Sequence, residues 1–126
     1  MKPNRVAQEL DRLTALPGVV ASALVDADTG LLWYVSGDTS RAEHLWEAAI
    51  DYWRLHDRHQ AHFASLGALG AAAMYHTAGV LAILPCSRDP AVLLVSLAEH
   101  RAVDWILLQR MVRAIGPLLA TTVSSR

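Results

Sequence analysis

The chain is short of the residues on which several classes of protein depend. Its one cysteine, Cys86, excludes an internal disulfide and any zinc cluster built on cysteine. Its one lysine, Lys2, and its scattered arginines lack the basic footprint of a nucleic-acid binder, so no nucleic acid is expected as a partner. No Walker loop, G-x-G-x-x-G or G-x-S-x-G occurs, so no nucleotide or other cofactor is expected. Charged residues make up 18% of the chain and hydrophobic ones 53%, against roughly 25% charged in an average soluble protein. A single domain of 126 residues with so little charge points to a surface covered by another copy or a partner. Net charge is -1, split as -3 up to residue 63 and +2 beyond it. The amino terminus, MKPNRVAQELDRL, has no apolar signal core, and a cytoplasmic protein is expected.

The largest gap in charge runs from Ala64 to Ser87, where no Asp, Glu, Lys or Arg occurs. The length would suffice for a membrane helix. Against that reading, Tyr75-His76-Thr77-Ala78-Gly79 sits at its centre, much of the rest is weakly hydrophobic Ala and Gly, and no basic excess flanks it. No membrane span is expected. Two strands fit better: Gly70 to His76 out, a turn at Thr77-Ala78-Gly79, and Val80 to Leu84 back. Pro85 to Pro90 reads as a polar loop and Ala91 to Leu97 as a further strand. Continuous apolar runs in these last two strands predict a sheet covered on both faces.

Elsewhere the pattern is regular. Asn4 to Leu16 reads as a helix with Val6, Leu10 and Leu13 inward, Asn4 as its cap and Leu16-Pro17-Gly18 as its stop. Val19–Val25 and Leu31–Val35, joined by Asp26-Ala27-Asp28-Thr29-Gly30, form a hairpin signal. Ser40 and Glu43 have the spacing of a capping box for a helix from Arg41 to about Ala64. That helix is apolar over much of its circumference, as helices touching two neighbours are. A last helix from about Arg101 to Ile115 should end or kink at Gly116-Pro117, leaving a frayed tail from about Thr121. The whole is one α-β-β-α-β-β-β-α domain over 1–126, of α/β (layered α+β) class.

This order, with LPGVVASALVDADTGLLWYVSG after a first amphipathic helix, resembles the roadblock/dynein light chain family. Longin and profilin-like folds share parts of the layout. The resemblance implies a five-stranded antiparallel sheet with the middle helix on one face and the terminal helices on the other. It also implies a homodimer formed through the middle helices and third strands. The residues so implicated are Leu45, Trp46, Ala49, Ile50, Tyr52 and Trp53 on the helix and Ala71, Ala72, Ala73 and Met74 on the strand. Family members are, as a rule, platforms without catalytic residues that bind Ras-like small GTPases, some bacterial ones accelerating GTP hydrolysis. No arginine here matches a family motif for that acceleration.

Other chemistry competes with this reading. His56, His59 and His62 recur every third residue, but three such positions diverge around a straight helix, and a solvated helix end is the ordinary explanation. Cys86 with a histidine would make a nucleophilic pair only if the fold joined them. Trp46 and Trp53 share a helix face that is either core or dimer seam. Trp33 and Tyr34, neighbours on a strand, are expected to point to opposite faces. A profilin-like module sensing a small molecule beside His76 or Tyr75 is the second functional reading, and a small metal- or thiol-dependent enzyme the third.

Overall fold

A computed structural model of the protein describes residues 4–99 and 103–124. Its elements are α1 (Arg5–Thr14), β1 (Val19–Asp26), β2 (Leu32–Gly37), α2 (Glu43–Arg58), β3 (Ala72–His76), β4 (Gly79–Arg88), β5 (Ala91–Ala98) and α3 (Trp105–Ser124). Short 3-10 helices occupy Thr39–Arg41 and Gln60–Leu66. The expected order is the observed one. Lys2 and Arg101 lie outside the described residues.

The five strands form one antiparallel sheet in the order β2-β1-β5-β4-β3. Alternation along each strand divides the side chains between two layers. Leu24, Ala82, Leu84, Val92 and Leu94 meet Val6, Leu10 and Leu13 of α1 and Leu108, Val112, Ile115 and Leu119 of α3. On the opposite face Ala23, Val25, Leu81, Ile83, Leu93 and Val95 meet Trp46, Ala49 and Ile50 of α2. β1, β4 and β5 each carry five consecutive buried residues, because both of their faces are covered. Each large aliphatic side chain buried this way contributes about 1.5–3 kcal/mol.

A row of small residues crosses the sheet beneath α1 and α3: Ser36, Ser22, Ser96, Ala82 and Ala73 stand opposite one another on successive strands. Ser22 and Ser96 are fully buried, and their hydroxyls satisfy each other at 2.7 Å. Ser36 Oγ donates to Asp11 Oδ1 at 2.6 Å, tying α1 to the sheet.

Local chemistry sets the element ends. Asn4 caps α1 by accepting from the Ala7 N–H. In the hairpin turn, Asp26 Oδ1 accepts from the N–H groups of Thr29 and Asp28 at 3.0 and 2.9 Å. The bond from the Thr29 N–H foremost holds the Asp26 carboxyl below the ordinary carboxylate range; desolvation opposes it, and the bond from Asp28 adds to it. The stabilisation from such a lowered pKa is present above the unfolded-state value and is lost as pH falls through the folded one. Asp26→Asn should therefore lower the neutral plateau of the stability–pH curve towards its acid value, flattening the acid limb from above.

Three expectations are corrected. The capping box does not form: Asp38 Oδ1 takes both the N–H and the hydroxyl of Ser40, and the chain winds into a 3-10 turn. The α-helix then starts at Glu43 without a side-chain cap and ends at Arg58, not Ala64. Pro85 to Arg88 is strand, not loop. Pro85 stands opposite Leu93 and Ser87 opposite Val92, so Cys86 is an extra residue in a β-bulge, where a strand proline loses little. Finally, α3 runs through Gly116-Pro117 to Ser124, where an end and a frayed tail were expected. Pro117 faces outward, and burial of Ile115 and Leu119 on either side holds the helix on the sheet.

Gly116 has a different role from helix termination. A Cβ there would lie 2.5 Å from the Cys86 carbonyl oxygen, so α3 crosses β4 in backbone contact at the bulge. Gly116→Ala must push the helix away and should cost about 1–3 kcal/mol, read as a lower denaturant midpoint with an unchanged slope.

Candidate interaction face

Stepping about 100° per residue gives α2 three sides. The inner one carries Trp46, Ala49 and Ile50, which are 4%, 0% and 4% exposed. Three candidates for the dimer seam are thus packed against the molecule's own sheet. One flank is polar, with Glu43, Glu47, Asp51, Arg54 and Arg58. It lies towards the β1–β2 turn, where Arg54 Nη2 donates to the Asp28 carbonyl at 3.4 Å. The other flank is apolar: Leu45 and Ala48 are half-buried, while Tyr52 and Leu55 are 52% and 46% exposed.

That apolar flank meets β3. Ala72 and Met74 stand opposite Ile83 and Leu81, hence on the α2 side of the sheet, and Ala73 points to the other face. With Tyr52, Trp53 and Leu69, the first two line an apolar hollow of 180 Å³. Ala71 precedes the strand and is exposed. β3 ends the sheet order, so among the described residues no strand pairs with its outer edge. The structure therefore brings Leu45, Tyr52, Trp53, Ala72 and Met74 to one surface, and adds Leu55. The uncharged window has two explanations: Val80–Leu84 is core, whereas Ala64–Ala71 and β3 are partly or fully exposed.

The histidines follow the break in α2. His56 lies between Trp53 and Phe63, with ring centroids at 6.2 and 4.9 Å. His59 ends α2 and His62 lies in the 3-10 segment, their rings 5.7 Å apart. The three do not share a straight helix, and among the described residues no three potential metal ligands converge. No glycine or proline marks the break at His59, so nothing in the sequence pattern signalled it.

A second hollow, of 630 Å³, lies between the C-terminal end of α2, the 3-10 segment Gln60–Leu66 and the β4–β5 end of the sheet. Trp53, His56, Phe63, Leu93, Asp57 and Arg88 are among the residues lining it. Tyr75 and His76, expected beside a small-molecule site, line neither hollow.

The remaining candidates are placed by the two bulges. Leu24 faces Tyr34 and Val25 faces Leu32, so Trp33 is the extra residue of β2. A bulge re-aims its side chains, and both Trp33 and Tyr34 pack against the layer of α1 and α3, contrary to the expected opposition. The Tyr34 hydroxyl accepts from Asn4 Nδ2 at 2.8 Å. Cys86 is half-buried beneath α3 with its thiol 3.5 Å from the Val112 carbonyl oxygen. Burial pushes that thiol up to about 12, which removes the thiolate a nucleophile needs.

No protein-family model and no curated protein matches the chain. Solved structures do. A Roadblock/LC7 domain from Streptomyces avermitilis aligns with a TM-score of 0.74 and 18% identity over 98% of this chain and 99% of that one. Myxococcus xanthus MglB aligns with a TM-score of 0.73 and 16% identity over 100% of both chains. At these identities the likeness is one of fold, and it spans the whole chain: this is a roadblock fold, with its five-stranded antiparallel sheet and helices on both faces. Among the described residues no helix is long and apolar enough to cross a membrane.

Cys86 supplies a test of the buried bulge. With the thiol raised to about 12, labelling by a thiolate-specific reagent at neutral pH should be slower than in the unfolded chain by about 10²-fold or more. Equal rates in folded and denaturant-unfolded protein would contradict this placement.

Proposed function

We propose that the chain is a non-enzymatic roadblock-type platform in the cytoplasm, which homodimerises and binds a Ras-like small GTPase that it regulates or scaffolds. The supporting observation is the continuity of the exposed apolar flank of α2 with the edge strand β3. An exposed strand edge beside exposed Tyr52 and Leu55 is an association hazard unless something covers it. A second copy covers it economically, because a two-fold axis sets the same patch against itself. The fold, and the resemblance of the hairpin region to the roadblock/dynein light chain family, support the GTPase as partner. Acceleration of hydrolysis is the narrower part of the proposal. It would work by arranging the GTPase's own catalytic groups, since no arginine here carries a family pattern for insertion in trans.

Two measurements test the halves separately. In light scattering after size exclusion, the wild type should be a dimer. Tyr52→Asp and Leu55→Asp should be folded monomers, whereas Ile50→Asp, which buries a charge, should lose at least about 3 kcal/mol of stability. A monomeric wild type, or dimeric flank variants, would overturn the seam. Affinity capture from native-host lysate, run with GDP and with a non-hydrolysable GTP analogue, should recover a small GTPase in one nucleotide state. Recovery in neither state would leave the platform without its proposed partner.

A further inference from the structure

The 3-10 segment Gln60–Leu66 is anomalous. It is seven residues long, where 3-10 runs rarely pass three or four, and none of its residues is buried. Phe63 and Leu66 are 39% and 80% exposed, yet the segment arches over the end of the sheet. It is held off by the stack of Phe63 on His56 and of His56 on Trp53. Beneath it lies the 630 Å³ hollow, within the roughly 300–1,000 Å³ typical of small-molecule sites.

The chemistry of this hollow is uneven. Leu93 and Ala27 make an apolar floor, and Trp53, His56 and Phe63 an aromatic wall. Arg88, from the end of β4 just past the bulge, reaches the same hollow, as does Asp57 from the last turn of α2. Among the described residues neither the guanidinium of Arg88 nor the carboxylate of Asp57 makes a hydrogen bond or ion pair. An aromatic-walled cavity with one unpaired guanidinium fits a flat apolar body bearing one carboxylate, which Arg88 can hold through two parallel N–H donors. Asp57 works against a second negative charge on the ligand.

We propose that the hollow beneath Gln60–Leu66 is a binding site for a small aromatic monocarboxylate, with Arg88 as the anchor and the 3-10 segment as its cover. The site does not rest on the dimeric platform or its GTPase. It lies at the C-terminal end of α2, next to the apolar flank with which it shares Trp53, and its floor and anchor come from the β1–β2 turn, β4 and β5 of a single chain.

The test titrates the full chain with indole-3-acetate, indole and tryptamine, followed by calorimetry and by amide NMR shifts. Indole-3-acetate should bind saturably at one site, with a Kd of about 1 mM or tighter, and should shift residues around Leu93 and Phe63. Indole and tryptamine should bind at least about tenfold more weakly, and Arg88→Gln should weaken indole-3-acetate by a similar factor. Arg88 is exposed, so that variant should fold. Ala64→Trp, which puts an indole ring into part of the hollow from an exposed position, should weaken binding by at least about tenfold while the unfolding midpoint is retained. Absence of saturable binding, equal binding of all three compounds, or indifference to Arg88→Gln would each overturn the assignment. None of these outcomes bears on dimerisation or on GTPase capture.

Discussion

The architecture depends on one constraint: β1, β5 and β4 must be kept from water on both faces. Their side chains are apolar in both directions, so a single covering layer would leave half of them wet. α1 and α3 together close one face and α2 alone closes the other. The first pair can sit close because the residues beneath them are small, down to the Ser22–Ser96 bond that satisfies two buried hydroxyls at once. A single helix on the opposite face cannot cover five strands. It leaves uncovered both edges: β2, where Val35 is 47% exposed, and β3 with the stretch of chain that leads into it.

This asymmetry explains why the chain is short of charge in two physically different places. In Val80–Leu84 a charge would be buried and unpaired. In Ala64–Ala71 and along β3 it would be solvated and harmless to the monomer, so the monomer's own stability gives no reason for its absence. Apolar residues held at such a place are consistent with surfaces that another molecule covers. The flank of α2 with β3 is broad and bordered by a strand edge, which suits a second protein surface. The hollow beneath Gln60–Leu66 is concave and aromatic, with the Arg88 guanidinium and the Asp57 carboxylate both on its lining, which suits a small aromatic molecule with a single carboxylate.

Much of this fold was legible in the sequence because it rests on periodicity and on side chains that satisfy nearby backbone. Asn4 as a cap, the Asp26–Gly30 turn and the inward residues of α1 belong to that class. Competition between local partners was harder to read. Ser40 had the right spacing for Glu43, but Asp38 was closer to hand and took its hydroxyl. Bulges were invisible, since a single extra residue such as Cys86 or Trp33 changes a strand's facing without changing its composition. Gly116-Pro117 carried the usual stop signal, yet burial of the residues on either side outweighed it. For the proposed interaction face, the family resemblance pointed to α2 and β3 but could not separate core from flank. Trp46, Ala49 and Ile50 turn inward by rotations that only the packed sheet determines.

The central claim is that β3 is a covered edge in the assembled protein. Hydrogen–deuterium exchange of β3, followed as protein concentration is raised, tests it most directly. Amides of Ala72–His76 that point away from β4 should exchange fast in dilute solution and become protected at high concentration, in parallel with the dimer fraction. Exchange of these amides that is fast and independent of concentration would contradict the claim, and the apolar flank of α2 would then need another explanation.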